Sequence, residues 1–228
     1  ETVSFNAVIS ACEKTLRWEP ALHLLGELGE AGLEPTVVSF GAAATACEKG
    51  RQWEHGIRFL CLLRRQAVEP SVTFCNAAIS ACGRDGQWPL ALGVLRGMRE
   101  ACVEEGPDEI SFNAAVTACE GGRQWFRALD LVRAARSSHL RPDAITNCAA
   151  LGACGISNQW QRTLKLLGEH PGPHQSEPLS IAYSTAMLAC ASAGQWRQAL
   201  GLLRGLAAAS VRPVAVTYGL LLMECEQR

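Results

Sequence analysis

Apolar residues recur every three or four positions along the chain. Phe5, Val8, Ile9 and Cys12 fall at i, i+3, i+4 and i+7, which predicts one face of a first helix. Trp18, Ala21, Leu22 and Leu25 repeat the spacing and predict a second. A short polar turn separates them, and its counterparts downstream read EKGRQW, GRDGQW and EGGRQW. Strand-like alternation is poor and Ala and Leu dominate, so the elements are helical.

The helical pair is itself repeated. Trp18, Trp53, Trp88, Trp125, Trp160 and Trp196 follow one another at steps of 35, 35, 37, 35 and 36 residues. A Cys precedes each by six positions: Cys12, Cys47, Cys82, Cys119, Cys154 and Cys190. Pro35, Pro70, Pro107, Pro142, Pro178 and Pro213 keep the same beat. This period predicts an array of stacked supersecondary units over residues 2–36, 37–71, 72–108, 109–143, 144–179 and 180–214, with a partial unit at 215–228. Gly50, Gly86 and Gly122 are placed to end first helices in a left-handed cap. Pro20 and Pro89 suit the first turn of second helices. The hinge prolines stop second helices, and Thr36, Ser71, Asp108 and Asp143 after them are good N-caps. One unit cannot bury its own apolar face, so neighbours must stack. The chain opens inside a first helix and ends inside another, which reads as a piece of a longer array.

Composition adds little to this and charge somewhat more. The 228 residues are 48% hydrophobic and 19% charged, with 21 Lys+Arg against 22 Asp+Glu, so no global basic field draws in nucleic acid. The charge is uneven: residues 1–114 hold 10 basic and 15 acidic residues, residues 115–228 hold 11 and 7. A polyanion meets a friendlier second half. No apolar run reaches the roughly 18–20 residues of a spanning helix.

Candidate chemistry is sparse. None of the 11 Cys forms C-x-x-C or has a His at zinc spacing. Equivalent positions in stacked helices lie about 8–10 Å apart, too far for a disulfide. The Cys ladder therefore reads as small buried hydrophobes in a reducing compartment, and the Trp ladder, with Ala and Leu at helical spacing, as core. Arg51, Arg123 and Arg197 recur in turns, and His170 and His174 flank a Pro-rich hinge. Phosphate-binding, zinc-protease and serine-hydrolase signatures are missing, and nothing implies a cofactor or a metal.

The units resemble the pentatricopeptide repeat family. The likeness rests on the period, on VSFNAVISACEK and its copies TFCNAAISACGR and SFNAAVTACEGG, on GQWPLAL and GQWRQAL, and on AGLEPT and LRPDA. The tetratricopeptide repeat runs at 34 residues with a different Trp/Leu/Gly/Tyr pattern. The resemblance implies an all-α right-handed superhelical solenoid of helix-turn-helix units, first helices lining the concave face. It implies binding of single-stranded RNA, about one base per repeat, in a mitochondrion or chloroplast, supporting RNA processing, stability or editing. No membrane is involved in that reading.

Carried over residue by residue, the resemblance implies base-reading pairs Asn6 with Thr36, Asn76 with Asp108 and Asn113 with Asp143. The last two match a uracil-leaning combination, and Asn6 suggests a pyrimidine. Gly41 with Ser71, Cys148 with Leu179 and Ser184 with Val214 fill the same register, where Gly41, Cys148, Leu179 and Val214 lack a suitable donor or acceptor. The base clamps implied are Val3, Val38, Thr73, Ile110, Ile145, Ile181 and Val216, all β-branched and stiff. The alternative is a degenerate repeat scaffold for protein partners. Near-zero net charge, interrupted pairs and helix glycines (Gly26, Gly29, Gly93, Gly97, Gly201 and Gly205) favour it. Each such glycine costs about 1 kcal/mol against Ala unless it admits a close neighbour.

Overall fold

The computed structural model describes residues 2–15, 17–30, 33, 36–65, 69–100, 106–168 and 176–208. Val214, Val216 and the His170–His174 hinge lie outside them, as does the side chain of Leu179. The described residues form twelve α-helices and no strand. They are α1 (Thr2–Lys14), α2 (Trp18–Glu30), α3 (Val37–Lys49), α4 (Trp53–Arg65), α5 (Val72–Arg84), α6 (Trp88–Glu100), α7 (Glu109–Gly121), α8 (Trp125–Ser137), α9 (Ala144–Ile156), α10 (Trp160–Gly168), α11 (Ser176–Ser192) and α12 (Trp196–Ala208). Odd-numbered helices are the first helices of the hairpins and even-numbered ones the second.

The chain divides into two compact units, residues 1–118 and 119–228, the boundary falling inside α7. In the first, α1 packs on α2 and α3, α3 on α4 and α5, and α5 on α6. In the second, α9 packs on α8, α10 and α11, and α11 on α12. Within the units α1, α3 and α9 therefore each touch their hairpin partner and the next first helix, which is how a hairpin without a core of its own acquires one. Alanines make this close stacking possible: Ala43, Ala46, Ala78 and Ala81 in the first unit and Ala150, Ala153, Ala182 and Ala186 in the second are at most 2% exposed. Ile9, Leu28, Leu63, Phe74 and Ile79 fill the first core, and Leu151, Leu167, Tyr183 and Leu202 pack together in the second. Val8, expected on the buried face of α1, is 48% exposed.

Caps form where the sequence places them. Thr36, Ser71, Asp108 and Asp143 accept the backbone N–H of Ser39, Phe74, Ser111 and Thr146 respectively. The hairpin turns are Schellman closures. Gln52, Gln87, Gln124, Gln159 and Gln195 donate their backbone N–H to the carbonyls of Cys47, Cys82, Cys119, Cys154 and Cys190 at 2.8–2.9 Å. The left-handed residue is the one before each Gln, so Gly86 (φ 72°) fits the expectation. Gly50 and Gly122 do not: Arg51 (φ 58°) and Arg123 (φ 56°) take the left-handed position instead, one residue later. Gly50 is needed for space, since a methyl group there would run into the Trp18 ring.

Three other expectations change. Pro178 does not stop a second helix, because α11 starts at Ser176 and holds Pro178 in its first turn, where the missing N–H costs nothing. Leu179 thus lies within a helix and not ahead of one. Arg197 is the second residue of α12, outside the turn. The Trp ladder is not core: Trp18, Trp53, Trp88, Trp125 and Trp160 are half-buried and Trp196 is 43% exposed. An indole at the start of a second helix sits at the hairpin end, where it packs sideways onto the next hairpin. Trp18 stacks on His55 (centroids 5.6 Å apart), and the Arg162 guanidinium lies 4.1 Å over the Trp125 ring.

Candidate functional site

The second residue of α1, α3, α5, α7 and α9, and the sixth of α11, are exposed. Val3, Val38, Thr73 and Ile110 in the first unit, and Ile145 and Ile181 in the second, all face solvent, the five aliphatic ones at 55–80% exposure. An isolated exposed apolar residue is ordinary, but the same stiff, β-branched type at one register in six consecutive first helices is a surface feature. The aliphatic members of the row are too exposed for ordinary packing between repeats to explain them.

Three residues further along the same helix face stand Asn6, Gly41, Asn76, Asn113, Cys148 and Ser184. Two of the amides are held in near-identical networks. The Asn6 Nδ2 donates to Thr36 Oγ1 at 3.3 Å, and its Oδ1 accepts the Ser39 hydroxyl at 2.5 Å. The Asn76 Nδ2 donates to Asp108 Oδ1 at 3.1 Å, and its Oδ1 accepts the Ser111 hydroxyl at 2.6 Å. Ser39 and Ser111 in turn accept the backbone N–H of Thr36 and Asp108. Asn6 and Asn113 are half-buried, whereas Asn76 is only 7% exposed, so just an edge of its amide reaches solvent. Asp143 caps α9 through Thr146, at 2.7 Å to its N–H and 2.8 Å to its hydroxyl.

The Asp108 carboxyl is pushed up by burial. The N–H and hydroxyl of Ser111 and the amide of Asn76 outweigh that push, holding it below its ordinary value. It is therefore an ionised acceptor. Cys148, at the amide register of α9, shows the opposite balance: burial, then Glu120 and Asp143, raise its thiol. Burial also lifts Cys47 to about 12 and Cys82, Cys119 and Cys154 to about 11, so these ladder thiols are packing groups and poor nucleophiles. Among the described residues no group of three His, Cys, Asp or Glu could hold a metal.

Positive charge lies elsewhere in the second unit. α9 and α11 carry no Lys or Arg. Arg127, Arg133, Arg136, Arg162, Lys165, Arg197 and Arg204 are all exposed and all on the second helices α8, α10 and α12, where Asp130 is the one acid. The row and the cations thus occupy different helix layers of that unit. Sequence reasoning did not single out Ser39 and Ser111. Their signal was a hydroxyl residue three positions after each N-cap, in VVSF and EISF.

A family model described as the PPR repeat matches residues 3–33 and 73–103. No curated protein matches the chain. Among solved structures, the pentatricopeptide repeat protein PPR10 from maize superposes with a TM-score of 0.65 at 22% identity, over 96% of this chain and 36% of that one. PPR10 in complex with an 18-nt psaJ RNA element gives 0.61 at 23% identity, over 99% and 31%. The likeness shows a shared fold, and this chain spans about a third of the length of those proteins.

Proposed function

We propose that this chain, which carries pentatricopeptide repeats, binds single-stranded RNA along the exposed row of its first helices. The observation that carries the reading is the pairing, on one helix face, of a solvent-facing β-branched side chain with a hydrogen-bonded amide three residues on. The first offers an apolar wall to the face of a base. The second offers a fixed donor and acceptor to its edge. Asn76 with Asp108 and Asn113 with Asp143 lean toward uracil and Asn6 toward a pyrimidine, while Gly41 and Cys148 hold a base by its faces alone. Service in RNA processing, stability or editing within a mitochondrion or chloroplast completes the proposal. PPR10, of the same fold, has been solved with RNA bound, which supports it.

Crosslinking locates the contact. RNA carrying 4-thiouridine is irradiated with the chain and the adducts are mapped. Adducts at the first-helix row, at Val38 and Ile110 above all, are expected. Adducts confined to the second helices contradict the reading.

The scaffold alternative keeps one specific observation in its favour, the missing amides at Gly41 and Cys148. A chain that binds no single strand at low salt, and recovers a protein partner, would establish it.

A further inference from the structure

The hydroxyls of Ser39 and Ser111 approach the amide oxygens of Asn6 and Asn76 at 2.5 and 2.6 Å. Those separations suit an O–H donating to oxygen and are too short for an amide N–H. In this arrangement the amide oxygen faces the serine and the nitrogen faces the cap residue. From this geometry we infer that Ser39 and Ser111 are positioning residues: they set which way the amide presents its donor and acceptor, and with that the base preference of the slot. The inference rests on the RNA-binding reading above.

A hydroxyl accompanies each of the three amides. Asn6 is followed by Ser39, Asn76 by Ser111 and, in the same register, Asn113 by Thr146. Where Gly41 replaces the amide the register holds Phe74, where Cys148 replaces it Ala182, and where the polar Ser184 replaces it Thr217. Yet α5 is capped normally without that hydroxyl, since Ser71 accepts the Phe74 N–H at 3.2 Å. Capping uses the hydroxyl only as an acceptor of the Thr36 and Asp108 N–H, and leaves its proton for an amide oxygen that needs a donor.

The two sites differ in how much they depend on the serine. Asp108 is ionised and can only accept, so it draws the Asn76 nitrogen by itself, and it also competes for the single Ser111 proton at 2.8 Å. Thr36 can donate or accept, so it would tolerate the Asn6 amide either way round. The serine proton is decisive at Asn6 and reinforcing at Asn76.

The test uses the full chain and a set of single strands differing at one base, read by competition anisotropy. Ser39→Ala is expected to reduce base discrimination at the Asn6 slot by about tenfold. Ser111→Ala is expected to reduce it less at the Asn76 slot, and Ser39→Thr to preserve it. The salt dependence stays unchanged throughout. A purely structural serine would instead weaken all sequences alike, and that result, or unchanged discrimination in Ser39→Ala, overturns the inference. Side-chain amide NMR of the RNA-free chain supplies the second arm. The Asn6 Nδ2 protons should rotate and exchange more slowly in the parent than in Ser39→Ala, and equal rates overturn the inference whatever RNA does. A parent chain with no base preference but a slowed Asn6 amide sinks the RNA reading while leaving the locked amide standing.

Discussion

Arg84 reaches back to Glu48 of the preceding first helix and pairs with it at 3.2 Å, closing a half-exposed cation over a carboxylate that is 17% exposed. The same register in the second unit joins Glu120 to Ile156, which cannot pair. Burial alone then raises the Glu120 carboxyl, and Gly152 leaves the space its head group occupies. Ile156→Arg is expected to return the Glu120 pKa toward its ordinary value and to raise stability by up to about 1 kcal/mol at neutral pH. Side-chain carboxyl NMR titration with thermal unfolding checks both.

Glycine positions separate into two classes. A Cβ at Gly26, Gly93 or Gly201 would meet nothing within 4 Å, so these glycines serve no close helix approach. Each changed to Ala should gain about 1 kcal/mol, and because the sites are far apart the gains should add. Gly83 is different: its Cβ would stand 3.0 Å from that of Ala118. Gly83→Ala is expected to lower the thermal midpoint while Gly26→Ala raises it.

Asp108 makes the first unit acid-sensitive. Its folded pKa lies below its unfolded value, so its contribution is fully present above the unfolded value and fades as pH falls through the folded one. Unfolding free energy should drop on acidification below the ordinary carboxylate value. Asp108→Asn should flatten that part of the profile, as denaturant titrations at stepped pH would show.

Charge placement predicts a modest electrostatic term. With no Lys or Arg on α9 or α11, an RNA strand on the first helices leaves Arg133 and Arg204 untouched. Changing both to Ala should leave the slope of log affinity against log salt unaltered. A fall of about 0.7 per cation lost would place the strand over α8 and α12 instead.

Much of this architecture is legible in the residues themselves. The 35-residue beat of Trp, Cys and Pro reports hairpins because each marks a boundary condition: a second-helix start, a carbonyl accepting the closing turn bond, a hinge. The β-branched row is visible in the sequence as one residue type at one register, whereas its exposure is seen only in the fold. Misreadings arise where helical periodicity is silent about what lies beside a helix. Trp125 looks like core by spacing, yet Arg162 covers it from the next hairpin at 4.1 Å. Arg123 takes a left-handed turn position that composition assigns to Gly122. Ser111 looks like a surface serine until Asn76, distant in sequence, joins the cap residue Asp108 on it.

The most direct measurement of the central claim is anisotropy of this chain with labelled U-rich and A-rich single strands at two salt concentrations, alongside Asn113→Ala. The expected result is a U-rich preference that survives moderate salt and narrows in Asn113→Ala with the salt slope unchanged. Equal binding of both strands that vanishes with salt, indifferent to Asn113→Ala, would contradict it.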